Sequence, residues 1–102
     1  MTTAAILLML SQAPATGCEV KRDKHGRIKR SQNMKAAFRL LHPCPATGKT
    51  TGKCEGYVID HIWPLCAGGC DVPQNMQWQT KAESVRKDRL EWKMCREQAD
   101  EE

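Results

Sequence analysis

Three residue types that together support metal-assisted hydrolysis lie in the second half of the chain. Asp60 and His61 are adjacent, and Asn75 follows a glycine-containing segment. An imidazole accepts a proton near neutral pH, whereas carboxylate and amide oxygens bind Mg²⁺ without filling its coordination sphere. Phosphodiester hydrolysis needs both functions, because water must lose a proton and the charge on the phosphate must be stabilised. These three residues are therefore candidates for that reaction.

The segments around them predict a hairpin followed by a helix. Residues 57–59 are β-branched and aromatic and favour a strand, residues 67–69 favour a turn, and residues 76–78 favour the return strand. Adjacent side chains of a strand point to opposite faces, so the loop of the hairpin must bring Asp60 and His61 around one site. Thr80 and Glu83 form a capping box that predicts a helix from about residue 81 into the mid-90s.

Two apolar faces are expected to form the core. On the C-terminal helix the predicted core-facing residues are Ala82, Val85, Leu90, Trp92 and Met94. Upstream, Ser31 caps a predicted short helix with core positions Met34, Phe38 and Leu41, and Pro43 ends it. A loop covers residues 43–54.

The basic residues are concentrated before the candidate site. Ten Lys and Arg residues lie between Val20 and Lys53, where Asp23 is the only acid. Residues 20–30 predict a basic hairpin that turns at Asp23 and Gly26. Such a surface favours a polyanion, through phosphate contacts that do not depend on base sequence. The residues expected to make them are Lys21, Arg22, Lys24, Arg27, Lys29 and Arg30.

The order of these elements resembles the HNH signature of the ββα-metal nucleases. The resemblance rests on Asp60-His61, Pro64-Leu65, Gly68-Gly69 and the run from Asn75 to Trp78 before a capped helix, and it extends more loosely over residues 18–91. It implies a small α+β domain with a ββα-metal core at about residues 55–95, a preceding basic hairpin and short helix, and a C-terminal helix. It also implies His61 as the general base, and Asp60 and Asn75 as ligands of Mg²⁺ or Mn²⁺.

The chain departs from the family pattern at two places. Ser84 stands where many HNH proteins have a further histidine, so the resemblance implies a site with two metal ligands. Thr80 and Glu83 stand where a second zinc-binding cysteine pair is expected, so the usual zinc knuckle is absent from the sequence. Lys87 matches a family position that often holds lysine, and it is expected to contact a phosphate as a point charge.

Six cysteines in 102 residues predict cross-links that supplement a thin core. Six cysteines allow 15 complete pairings, and Cys44–Cys54 is the first pair to test. The alternative is an irregular zinc site built from Cys44, Cys54, Cys66 and Cys70.

The start of the chain predicts export. Residues 4–10 are apolar but too short to span a bilayer, and Ala13 and Ala15 have the spacing of a signal-peptidase site, so residues 1–15 are a candidate signal peptide. No Lys or Arg precedes the apolar run, and the alternative is a buried helix of a cytoplasmic protein. The nuclease domain is then expected at residues 18–96, followed by an acidic tail at residues 97–102.

These observations predict a metal-dependent endonuclease that cuts DNA with low sequence specificity. Charge alone also admits RNA as a partner. The alternative is an exported, disulfide-stabilised module that binds nucleic acid without cutting it. The sequence carries no information on the oligomeric state.

Overall fold

An antiparallel hairpin and two helices make up the fold. The structure, a computed structural model, describes residues 15–101, with side chains up to residue 96. Helix α1 spans Gln32–Leu41, strand β1 Tyr57–His61, strand β2 Met76–Thr80 and helix α2 Lys81–Glu101. Short 3-10 helices at Leu65–Ala67 and Pro73–Asn75 lie in the loop between the strands. The expectation of a small α+β domain is confirmed at this level.

The strand register places the candidate residues beside the loop. Tyr57 pairs with Thr80 and His61 pairs with Met76, so the two strands are paired along their full length. His61 is therefore the last residue of β1, directly before the chain enters the loop. Alternation along the strand directs Asp60 and His61 to opposite faces at this end.

Helix α1 packs on the hairpin through one aromatic residue. The Ser31 hydroxyl accepts a hydrogen bond from the Met34 N–H, which confirms the predicted cap. Phe38 is buried, and its ring lies 5.8 Å from that of Trp78. The prediction that Leu41 belongs to the core is wrong, because its side chain is 71% exposed. A two-stranded sheet is too narrow to cover the last turn of α1 as well.

Helix α2 begins as predicted but turns a different face inward. The Thr80 hydroxyl accepts from the Glu83 N–H, and the Glu83 carboxylate accepts from the Thr80 N–H, which confirms the capping box. The predicted apolar face is wrong for most of its members: Ala82 is exposed, and Val85, Leu90 and Trp92 are 52%, 76% and 66% exposed, whereas Met94 does face inward. The less exposed positions instead recur at helical spacing as Ser84, Lys87, Glu91, Met94 and Cys95.

Three disulfides hold these elements together. The predicted Cys44–Cys54 pair is confirmed, and the other pairs are Cys18–Cys70 and Cys66–Cys95. The alternative four-cysteine zinc site is wrong, because Cys66 and Cys70 are each bonded to a cysteine outside that set. The remaining core is small and includes Phe38, Leu65, Ala67 and Met76. Three disulfides are compatible with an extracellular protein.

The basic hairpin is present in a reduced form. A single bridge joins Arg22 and Ile28 in place of two regular strands. The Asp23 carboxylate accepts hydrogen bonds from the N–H groups of His25 and Arg27, which closes the turn.

The predictions for the two ends of the chain have different outcomes. Nearly all of the candidate signal peptide, including the apolar run, lies outside the described residues. Helix α2 continues past the mid-90s into the predicted acidic tail and ends at Glu101. Within residues 15–101, neither helix has the length and apolar character needed to cross a membrane.

The disulfides generate a prediction about stability. Replacing both cysteines of the Cys18–Cys70 pair by alanine is expected to lower the free energy of unfolding by about 4 kcal/mol, against about 3 kcal/mol for Cys44–Cys54. The difference follows from loop length, because the two pairs enclose sequence separations of 52 and 10. Cys70 and Cys44 are both buried, so the cavity terms are comparable. Urea unfolding of the two variants measures the order, and an equal or reversed order would contradict it.

Candidate active site

Asn75 organises the loop between the two strands. Its buried side-chain Oδ1 accepts a hydrogen bond from the Trp63 N–H at 2.9 Å. Its Nδ2 group donates to the carbonyl oxygens of Trp63, at 3.0 Å, and Cys70, at 2.9 Å. The Asn75 carbonyl oxygen accepts from the Ile62 N–H. The carboxamide therefore fastens the end of Pro73–Asn75 to the start of the loop.

The same loop requires a close approach of two backbone segments. A Cβ atom at Gly69 would clash with the carbonyl oxygens of Trp63 and Pro64, so only glycine fits there. The Gly69 N–H also donates to the Pro64 carbonyl oxygen. The predicted turn around residues 67–69 is thus the point at which the loop folds back on itself.

His61 lies at the wall of a cleft. The residue is 7% exposed, and its Nε2 atom lies 2.9 Å from Oδ1 of Asp71. The cleft has a volume of about 470 Å³. Its wall also includes charged side chains from the basic hairpin, from β1 and from α2, namely Arg22, Arg30, Asp60, Asp88 and Glu91.

Three carboxylates meet at this cleft. Oxygen atoms of Asp60, Asp88 and Glu91 lie within 4.8 Å of one another. Asp88 and Glu91 are three residues apart, so they share a face of α2, and that face packs toward the end of β1. We refer to these three residues as the acidic cluster.

Lys87 lies inside the acidic cluster. Its ammonium group donates to the carbonyl oxygen of His61 at 2.7 Å and to the Glu91 carboxylate. It also lies 3.0 Å from Oδ2 of Asp60. An ammonium group has three N–H donors, and three protein acceptors surround this one. In this geometry Lys87 offsets one of the three negative charges of the acidic cluster, and its contact with a phosphate stays a prediction.

The charges of this group shift each other's titration. Burial lowers the pKa of Lys87, but the Glu91 and Asp60 carboxylates raise it by more, so the pKa lies above its usual value. Burial raises the pKa of Glu91, and repulsion from Asp60 and Asp88 adds to this. Lys87 offsets part of that rise. The Glu91 pKa is therefore above the usual value for a glutamate.

The structure brings together only part of the predicted site. Asp60 and His61 share the cleft, and Arg22 and Arg30 reach it from the basic hairpin. Lys21 and Lys29 line a separate neighbouring cleft, and Lys24 and Arg27 are exposed elsewhere on the hairpin. The Asn75 amide is occupied by loop hydrogen bonds, so its role as a metal ligand stays a prediction.

Three charged residues at the site were missed in the sequence, namely Asp71, Asp88 and Glu91. The spacing of Asp88 and Glu91 on a helix that follows the hairpin is a readable signal. Asp71 carries no local signal, because only the folding of the loop brings it to His61.

Comparison with protein-family models, with curated proteins and with solved structures finds no match to this chain.

The geometry of Asn75 separates its anchoring role from metal binding. Asn75→Asp is expected to destabilise the fold by about 3 kcal/mol or more, since a carboxylate cannot donate to the carbonyl oxygens of Trp63 and Cys70. Urea unfolding measures the loss, with Gln74→Glu, at an exposed neighbouring position, as the control for the added charge. A residue whose role was only to bind a metal would tolerate aspartate. A stable Asn75→Asp variant would therefore contradict the role of the Asn75 carboxamide in holding the loop.

Removal of Lys87 is expected to expose the repulsion within the acidic cluster. Lys87→Met should lower the free energy of unfolding at pH 7 by about 2 kcal/mol. This loss lies between those for exposed and for buried ion pairs, because the Lys87 side chain is about one-fifth exposed. The Glu91 pKa is raised in the folded protein, so protonation of Glu91 at low pH favours the folded state. The deficit should therefore shrink as the pH falls toward 4.

Urea unfolding at pH 7 and pH 4 tests this pH dependence. Lys93→Met is the matched control, because Lys93 is exposed on the same helix. Equal losses for the two variants at pH 7, or a deficit for Lys87→Met that is independent of pH, would contradict the role of Lys87 as counter-ion.

Proposed function

We propose that this protein is a metal-dependent endonuclease that hydrolyses phosphodiester bonds in DNA with low sequence specificity. The observation that carries the proposal is the position of His61: a nearly buried histidine that lines a cleft shared with three acidic residues and two arginines. Cleavage of a phosphodiester needs a base, a cation site and a means of holding an anionic substrate. The cleft collects candidates for each.

His61 is the candidate base. An imidazole accepts a proton from water near neutral pH, and the fixed contact with Asp71 holds the ring in one orientation. Its place at the end of β1 gives it a rigid backbone, because the neighbouring Ile62 N–H is bonded to Asn75. The proposal assigns one step to the protein itself, namely the transfer of a proton from water to the imidazole of His61.

The acidic cluster has the ligand chemistry that Mg²⁺ or Mn²⁺ requires. Asp60, Asp88 and Glu91 offer hard oxygen ligands, although Oδ2 of Asp60 is also 3.0 Å from the Lys87 ammonium group, which a metal ion would displace. A bound divalent ion would stabilise charge on the phosphate and on the leaving oxygen. These carboxylates would hold it, and Asp60 is the ligand shared with the sequence-based expectation.

Arg22 and Arg30 supply the substrate side of the proposal. Both residues line the cleft, and guanidinium groups bind phosphate oxygens in a fork geometry. Contacts of this kind hold the backbone of a nucleic acid without reading its sequence. The sequence indicates no element that reads bases. Low sequence specificity follows.

The alternative function is an exported, disulfide-stabilised module that binds nucleic acid without cutting it. The position of Lys87 favours it, because the ammonium group already occupies the space between Asp60 and Glu91, where a metal ion would bind. Such a module would use the same basic hairpin but would release no products.

Nicking of supercoiled plasmid by the oxidised full-length protein tests the proposal. Nicking is expected with Mg²⁺ or Mn²⁺ and not with EDTA, and His61→Ala should lower the rate by about 10² to 10⁴-fold, the usual contribution of a general base. His25→Ala is the matched control, since His25 is exposed in the turn of the basic hairpin. It should nick at the wild-type rate.

Two results would overturn the proposal. One is a folded wild-type protein that binds DNA but leaves the plasmid supercoiled with either metal, which favours the binding module. The other is a His61→Ala variant that nicks as fast as His25→Ala, which would place the activity elsewhere.

A further inference from the structure

The ring of His61 is held from behind by a carboxylate that does not belong to the cleft. His61 lines the cleft that contains the acidic cluster, whereas Asp71 lines the separate neighbouring cleft of about 720 Å³. The Nε2 atom of His61 and Oδ1 of Asp71 are 2.9 Å apart, and their side chains are 9% and 23% exposed. The edge of the ring that carries Nε2 therefore faces Asp71 and not the acidic cluster.

The other oxygen of Asp71 is also engaged. Oδ2 accepts a hydrogen bond of 2.6 Å from the N–H of Ser31, the residue that caps α1. The carboxylate thus connects the start of α1 to the end of β1. With both oxygens bonded, its orientation is fixed.

The backbone beside Asp71 is fixed as well. The preceding residue, Cys70, is bonded to Cys18, and its carbonyl oxygen accepts a hydrogen bond from the Asn75 carboxamide. The Cys70 N–H donates to the carbonyl oxygen of Ala15. Asp71 therefore stands on one of the most constrained parts of the loop.

We infer that Asp71 is a positioning residue for His61 and selects the tautomer of its imidazole, an assignment that rests on the proposed function. An ionised carboxylate only accepts hydrogen bonds, so Nε2 must carry the proton that it donates to Asp71. In neutral His61 the lone pair is then on Nδ1. Among the residues that the structure describes, none hydrogen-bonds to Nδ1, which is the nitrogen left to take a proton from water.

Asp71→Asn is the sharpest test, because the protein itself dictates how the new amide is oriented. The Ser31 N–H requires an acceptor, so the amide oxygen of the variant should occupy the position of Oδ2. The amide NH₂ group then faces His61 and donates to Nε2. This forces the proton of neutral His61 onto Nδ1, where it blocks the proposed base.

The first measurement is the tautomer of His61, read from long-range ¹H–¹⁵N correlation spectra of the oxidised full-length protein at neutral pH. The wild-type spectrum should show protonated Nε2 and unprotonated Nδ1, and Asp71→Asn should show the reverse. His61→Ala assigns the signals. This result does not depend on any cleavage activity.

The second measurement is plasmid nicking with Mg²⁺ or Mn²⁺. Asp71→Asn should lower kcat by about 10²-fold or more with KM unchanged, because the variant keeps the substrate contacts but presents the wrong nitrogen. Glu55→Gln is the matched control: it also removes one negative charge, and Glu55 is exposed, lines neither cleft and lies outside the basic hairpin.

The outcomes separate this inference from the proposed function. Wild-type protein that fails to nick overturns the proposed function and the catalytic meaning of the Asp71 contact, whereas the tautomer itself is decided by the spectrum. Nicking by the wild type together with a protonated Nδ1 in its His61, or with Asp71→Asn as active as Glu55→Gln, overturns the inference alone. The wild-type tautomer decides the question even if Asp71→Asn does not fold.

Discussion

The Asn75 carboxamide joins backbone groups from two parts of the loop, at Trp63 and at Cys70. A buried amide is stable only when its donors and acceptor are satisfied, and the three backbone groups it meets are equally costly to leave unpaired. The three hydrogen bonds of this carboxamide are therefore expected to form together. They set where β1 ends and where the Cys70-Asp71 segment lies, and these two positions together determine how His61 meets its carboxylate.

Charged contacts and disulfides hold helix α2 against the hairpin, a role that an apolar helix face has in larger domains. The core of described residues is thin, and two of its most buried members, Cys44 and Cys70, are disulfide cysteines. Helix α2 is docked by Cys95 and by the contacts of Lys87, while Leu90 and Trp92 remain exposed. The disulfide and these contacts together fix which face of the helix turns toward the hairpin.

The elements that the sequence predicted correctly are those with local causes. Ser31 and the pair Thr80 and Glu83 each satisfy backbone groups within one helical turn, so their effect can be read from spacing. Cys44 and Cys54 are close in sequence and flank one loop. In contrast, the partners of Cys18 and Cys66 depend on the tertiary fold, as does the approach of Asp71 to His61. The inward face of α2 could not be predicted, because hydrophobic periodicity does not determine it.

The Cys66–Cys95 disulfide also determines where local unfolding of helix α2 can stop. Helices open most easily from their ends, and each part of a protein has its own opening free energy. Residues beyond Cys95 can fray without disturbing the loop, whereas the turns that carry Lys87 and Glu91 lie between the capped start of the helix and a covalent tie to the loop. Those turns and the loop therefore open together, as one cooperative unit, and amide hydrogen exchange along α2 should change abruptly at Cys95.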